Sequence, residues 1–183
     1  MLINSHWILA NKLFVKSKSY PFKLNHLALC WGSIRPDIHS PFNRGSHKYD
    51  ISYQMIEKKW AKLMDDPRAF AWLYSYRLGF IMHYLADFFC YPHNTDYYDG
   101  NLKEHFQYEV LLHFYIKDFA VSDFAADNIQ SVAHFHQYLE QQREEYFSQE
   151  PFLEKDMEFI CQSSWVLLQY AMARAGKRRL AFA

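Results

Sequence analysis

The sequence predicts an all-α fold, a compact assembly of six or seven helices, on three observations. Apolar residues recur at helical spacing along nearly the whole chain. No segment alternates apolar and polar residues as a half-buried strand would, and no turn joins two strand-like runs. Only 5 of 183 residues are glycine while 50% are hydrophobic, so a packed core is affordable and disorder is disfavoured. A chain of 183 residues and 22.1 kDa suits one domain over residues 1–183.

The elements follow from caps and breakers. Asn4 or Ser5 is the expected cap of a first helix ending near Ser17. Pro21 restarts the chain, and a short helix over 23–32 follows. Residues 33–46 hold Pro36, Pro41 and Gly45, which reads as a loop of unusual length and hence of functional interest. A helix over 48–64 comes next. Asp66 followed by Pro67 opens a helix that carries Tyr76, Phe80, His83 and Asp87 and runs until Pro92. Gly100 and Asn101 open another to about Ala120, and two more occupy 128–147 and 151–175.

Charge and cysteine usage exclude some functions. Lys plus Arg and Asp plus Glu both number 20, so no net field favours a long nucleic acid or an anionic surface. Three widely spaced cysteines, Cys30, Cys90 and Cys161, form no CxxC pair and read as reduced, which suits a cytoplasmic protein. The N-terminal stretch lacks the basic region of a signal peptide, and no apolar run is long enough to span a membrane.

The chemistry centres on HYLADFFCYPH, residues 83–93, where Asp87 sits in one of the most apolar runs of the chain. A buried carboxylate is costly unless a cation or several donors face it. His83 and Asp87 lie one helical turn apart, as do His105 with Glu109 and His136 with Glu140. With 10 histidines and 20 acids, roughly one such pair arises by chance, so spacing alone decides little. The Gln-rich surroundings of His136 and Glu140 mark an ordinary solvated contact. Asp87 is either held by a histidinium and backbone amides or shared as a metal ligand; its apolar setting and the adjacent His93 favour a metal. His26, His39, His113 and His134 read as structural, and Trp31, Phe42, Tyr97 and Tyr98 as packing aromatics with a cleft-lining role as the second choice. Asp50, Asp96 and Asp99 are candidates for carboxylates that orient ligand histidines.

Taken in order, the motifs resemble the bacterial zinc-dependent phospholipases C, whose fold and metal site are shared with single-strand-specific fungal nucleases. HYLADFFCYPH matches the family's His-x3-Asp-x5-His, and HFQYE supplies its His-x3-Glu pair. INSHWILANKLF resembles the segment bearing an early histidine, WGSIRPDI supplies a loop aspartate, and SHKYD a further histidine. The resemblance spans residues 3–112. It implies two or three zinc ions: one on Asp37, His47, His83 and Asp87, one on His93, His105 and Glu109, and a third bridged by Asp87 and held by His6. In the family that third ion is completed by the N-terminal amine and carbonyl. Only five residues precede His6 here, so Met1 reaches it only if the segment turns back sharply. The implied activity is hydrolysis of a phosphodiester by metal-activated water, with Asp37 as ligand and catalytic base and a phospholipid headgroup or other small phosphate ester as substrate. A nuclease, nucleotidase or phosphatase on the same metals is the alternative, and a non-catalytic zinc-binding protein is the reading from a different class.

Overall fold

A computed structural model describes residues 1–20, 22–39, 47–66, 71–94, 98, 101–121 and 131–181. Within them the chain forms seven α-helices and no strand: α1 (Ile3–Ser17), α2 (His26–His39), α3 (Tyr49–Asp65), α4 (Ala71–Phe88), α5 (Leu102–Asp118), α6 (Val132–Phe147) and α7 (Leu153–Ala181). A 3₁₀ turn, Tyr91–His93, lies between α4 and α5. The expected all-α class and helix number are those observed.

Helix α4 is the centre of the assembly. Every residue from Ile81 to Phe88 is buried. A helix apolar all round belongs in a core rather than on a surface. It packs against α1, α2, α3 and α7, while α5 rests on α1 and α7, and α6 on α3 and α7. Trp60, Tyr146, Phe88 and Phe89 are almost wholly enclosed. Each such side chain contributes about 1.5–3 kcal/mol relative to exposure.

Helices α2 and α4 run parallel in a fixed register. Asn25 N–H donates to Ser75 Oγ at 2.8 Å, the Leu29 carbonyl lies against Gly79, and the Ser33 carbonyl accepts from His83 Nδ1 at 2.8 Å. Each pair differs by 50 in sequence, so the same register carries Asp37 toward Asp87. Two glycines permit the approach. A Cβ at Gly32 would stand 2.1 Å from the Tyr76 carbonyl oxygen, and one at Gly79 2.1 Å from that of Leu29.

Several boundaries differ from the sequence expectation. Helix α1 starts at Ile3 with Leu2 as its cap, because the Ser5 hydroxyl is taken by His113 Nδ1 at 3.0 Å. Helix α2 starts at His26, where Asn25 Oδ1 caps it by accepting from Ala28 N–H at 2.9 Å. It then continues to His39 through Pro36, so the loop expected from residue 33 does not begin there. Proline removes the bond to the Gly32 carbonyl, but packing on α4 and the His83 bond to Ser33 outweigh that loss. Residues 40–46 and the His39 side chain lie outside the described residues, as does the Pro67 helix start. Asp66 closes α3 and pairs with Arg77 at 2.8 Å. Helix α4 ends at Phe88, short of Pro92, which sits inside the 3₁₀ turn. Asn101 caps α5 as expected, accepting from Lys103 and Glu104 N–H. Helix α6 begins at Val132 on a Ser131 cap, and α7 extends to Ala181, beyond the expected 175. No described helix is long and apolar enough to cross a membrane.

Candidate metal centre

Six separate parts of the chain deliver eight polar side chains to one place. His6 comes from α1, Asp37 from α2, His47 from just before α3, and His83 with Asp87 from one face of α4. His93 comes from the 3₁₀ turn, and His105 with Glu109 from one face of α5. They form three groups whose ligand atoms lie within 4.8 Å of one another: His6, His83 and Asp87; Asp37, His47 and His83; His93, His105 and Glu109.

Asp87 is fully buried at the junction. Its Oδ2 lies 2.8 Å from His47 Nδ1 and 3.2 Å from His83 Nε2; its Oδ1 lies 3.3 Å from His6 Nε2. The Met1 amine stands 2.6 Å from the same Oδ1, 3.1 Å from His93 Nε2 and 3.2 Å from Glu109 Oε1. So the short segment before His6 does turn back. Leu2 is extended, with φ −63° and ψ 145°, and its carbonyl accepts from Ser5 and His6 N–H, so α1 starts at once and Met1 points inward.

The electrostatics follow from this crowding. Burial pushes the Asp87 carboxyl up, but the Met1 ammonium and the imidazoles of His93, His6 and His83 outweigh it and hold the group well below the carboxylate range. Burial likewise opposes charge on the Met1 amine, and Asp87 and Glu109 overcome it, raising its pKa well above the ordinary value. Glu109 is pushed up by burial, yet the Met1 amine and the His105 and His93 bonds pull it well below its usual range. His6 is driven well down by burial and His83, and His93 down to about 4 by burial and the Met1 amine. Burial pushes Asp37 up.

The described protein groups do not complete this cluster. Among the described residues, neither ring nitrogen of His6 nor Asp37 Oδ2 has a hydrogen-bond partner despite burial. His83 donates from Nδ1 to the Ser33 carbonyl, which turns Nε2 into the cluster, where it lies 3.0 Å from His47 Nδ1. Glu109 Oε1 is faced by Nε2 of both His93 and His105, each at 3.0 Å. Imidazole nitrogen and carboxylate oxygen are the donors zinc takes, and a tetrahedral ion separates its ligands by about 3.3 Å. Among Asp37, His47 and His83 the separations run from 3.0 to 3.8 Å, and Asp87 Oδ2 lies 2.8 and 3.2 Å from the His47 and His83 rings. The donor set fits zinc.

Other expectations resolve individually. His26 pairs with Asn11 at 2.8 Å and stacks on Phe14, away from the cluster. His136 bonds the Tyr53 hydroxyl and Glu140 that of Tyr49, so this pair shares no ligand role. Asp50 is exposed, while Asp96 and Asp99 lie outside the described residues, as do Phe42 and Tyr97. Among the described residues the Ser33 carbonyl stands behind the His83 ring, and the Tyr98 hydroxyl accepts from the backbone N–H of His105 at 2.9 Å. A backbone carbonyl carries no residue signature, so no sequence signal marks it.

Comparison with known families matches residues 4–153 to a model described as zinc dependent phospholipase C. Comparisons with curated proteins and with solved structures give no match.

Proposed function

Because the chain belongs to the zinc-dependent phospholipase C family, we propose that it hydrolyses phosphate esters as a phosphodiesterase of the phospholipase C type. The observation that carries this reading is the convergence of His6, Asp37, His47, His83, Asp87, His93, His105 and Glu109 on one centre. Asp37, His47, His83 and Asp87 would hold one zinc ion, His93, His105 and Glu109 a second, and His6 with Asp87 a third, the Met1 amine lying 2.6 Å from Asp87 Oδ1 in support.

Zinc supplies Lewis acidity, polarising phosphoryl oxygens and making water nucleophilic at neutral pH. The chain's own residues do the rest. Asp37 is the catalytic base: its side chain is 19% exposed, the most of the eight, and its Oδ2 has no hydrogen-bond partner among the described residues. His83, fixed by Ser33, and Asp87, gripped from both oxygens, keep the centre rigid while charge develops on the phosphate.

A phospholipid headgroup is the favoured substrate. Ile38, next to Asp37 in sequence, and Leu102 and Phe106, on the helix that carries His105, are exposed apolar side chains, which supports an amphiphilic substrate. The zero net charge weighs against long nucleic acids. Three free, buried cysteines support a reducing, cytoplasmic setting. The test is parallel turnover of a phosphocholine diester, a generic phosphodiester and a phosphomonoester by protein of measured zinc content. Preference for the choline diester is expected. Preference for the monoester would displace the phospholipase reading, and zinc without turnover on any of them would make the centre structural.

A further inference from the structure

Asp156, on α7, lies just past the stretch that matches the family, which ends at residue 153. Its side chain is fully buried. Oδ2 accepts from Tyr91 N–H at 2.7 Å and from the Tyr108 hydroxyl at 2.9 Å; Oδ1 accepts from the Tyr146 hydroxyl at 2.7 Å. Tyr91 opens the three-residue turn that ends in His93, and Tyr108 immediately precedes Glu109. One carboxylate oxygen therefore ties together the two segments that deliver His93 and Glu109. Beside it, Lys155 Nζ anchors α7 to the end of α6 by donating to the Tyr146 and Gln149 carbonyls at 3.1 and 2.8 Å.

We infer that Asp156 is a positioning residue for the His93, His105 and Glu109 group, holding the 3₁₀ turn and α5 at the spacing that lets His93 Nε2 and Glu109 Oε1 meet. The spacing needs such a tie. His93 rides on a turn of three residues, whereas Asp156 stands on a helix of 29 residues. Tyr146 donates to the other oxygen, Oδ1, from α6, a helix that carries none of the eight residues.

This inference rests on the reading that His93, His105 and Glu109 bind zinc, and the experiment separates the two. Zinc affinity is measured ion by ion, by chelator competition and by the visible spectrum of the cobalt-substituted protein, for wild type, Asp156→Ala, Asp156→Asn, Tyr108→Phe and Tyr146→Phe. Zinc-free melting of each variant reports folding. The expected result is that Asp156→Ala weakens one ion about tenfold or more and leaves the others. Asp156→Asn restores it, since an amide oxygen still accepts from Tyr91 and Tyr108. Tyr108→Phe weakens the same ion severalfold; Tyr146→Phe does not. Equal effects of the two tyrosine variants, or wild-type affinity in Asp156→Ala, would reduce Asp156 to a packing role and overturn the inference. Uniform loss of all ions in Asp156→Ala with a lowered zinc-free melting point would do the same. Wild type binding no second ion would overturn the metal reading itself.

Discussion

Asp87 has no exposed surface, yet it is ionised, because the Met1 amine and three imidazoles converge on its two oxygens. Removing one charge from such a set strands the rest. Asp87→Asn is therefore expected to lose most bound zinc and reduce turnover below about 1% of wild type, read by elemental analysis and phosphodiester assay; full zinc content with undiminished hydrolysis would sink the bridging role. A second residue-scale prediction concerns Asp156, whose carboxyl burial pushes up to about 6 against donation by Tyr91, Tyr146 and Tyr108 and the charge of Lys155. A raised folded pKa means the folded state binds the proton more tightly than the unfolded state, so stability falls as pH rises from about 4 through 6 and is flat above. Relative to Asp156→Asn, zinc-free wild type should lose up to about 3 kcal/mol across that window in urea titrations; a pH-independent difference would contradict it. The residues that converge on the centre were legible in sequence because their chemistry and order are carried by side chains. The Ser33 carbonyl and the Asp156 tie were not, because one is backbone and the other acts through Tyr91 and Tyr108 at a distance of 48 to 65 residues.

At the scale of elements, the 50-residue register between α2 and α4 is what delivers Asp37 to Asp87. Gly79→Ala forces a Cβ to within 2.1 Å of the Leu29 carbonyl, which only backbone movement relieves. It should cost about 3 kcal/mol in urea unfolding and depress turnover, since any slip displaces Asp37 and His83 together; an unchanged midpoint would refute the packing account. Helix starts at Asn101 and Ser131 were readable or nearly so because caps are local chemistry. The passage of α2 through Pro36 was not, because the compensating contacts come from α4, 50 residues away, and tertiary packing overrode a local breaker. Nor does any local feature announce which helices lie side by side; the glycines at 32 and 79 carry that information only once the pairing is known.

The described residues form a helical shell around a polar centre that their own groups leave incomplete. Metal binding should therefore stabilise the fold as well as enable chemistry. At an ion concentration of about 100 times Kd, one bound ion adds about 2.7 kcal/mol, worth about 5–10 °C in a chain of this size. Chelation should lower the melting temperature by at least that much, and zinc should restore it; a chelator-insensitive transition would argue against a metal in the native protein. The most direct measurement of the central claim is anomalous diffraction from crystals of the protein at the zinc absorption edge. Two or three peaks are predicted, one among Asp37, His47, His83 and Asp87, one among His93, His105 and Glu109, and the third between His6, Asp87 and the Met1 amine. Crystals of active protein with no anomalous peak at these residues would contradict the account.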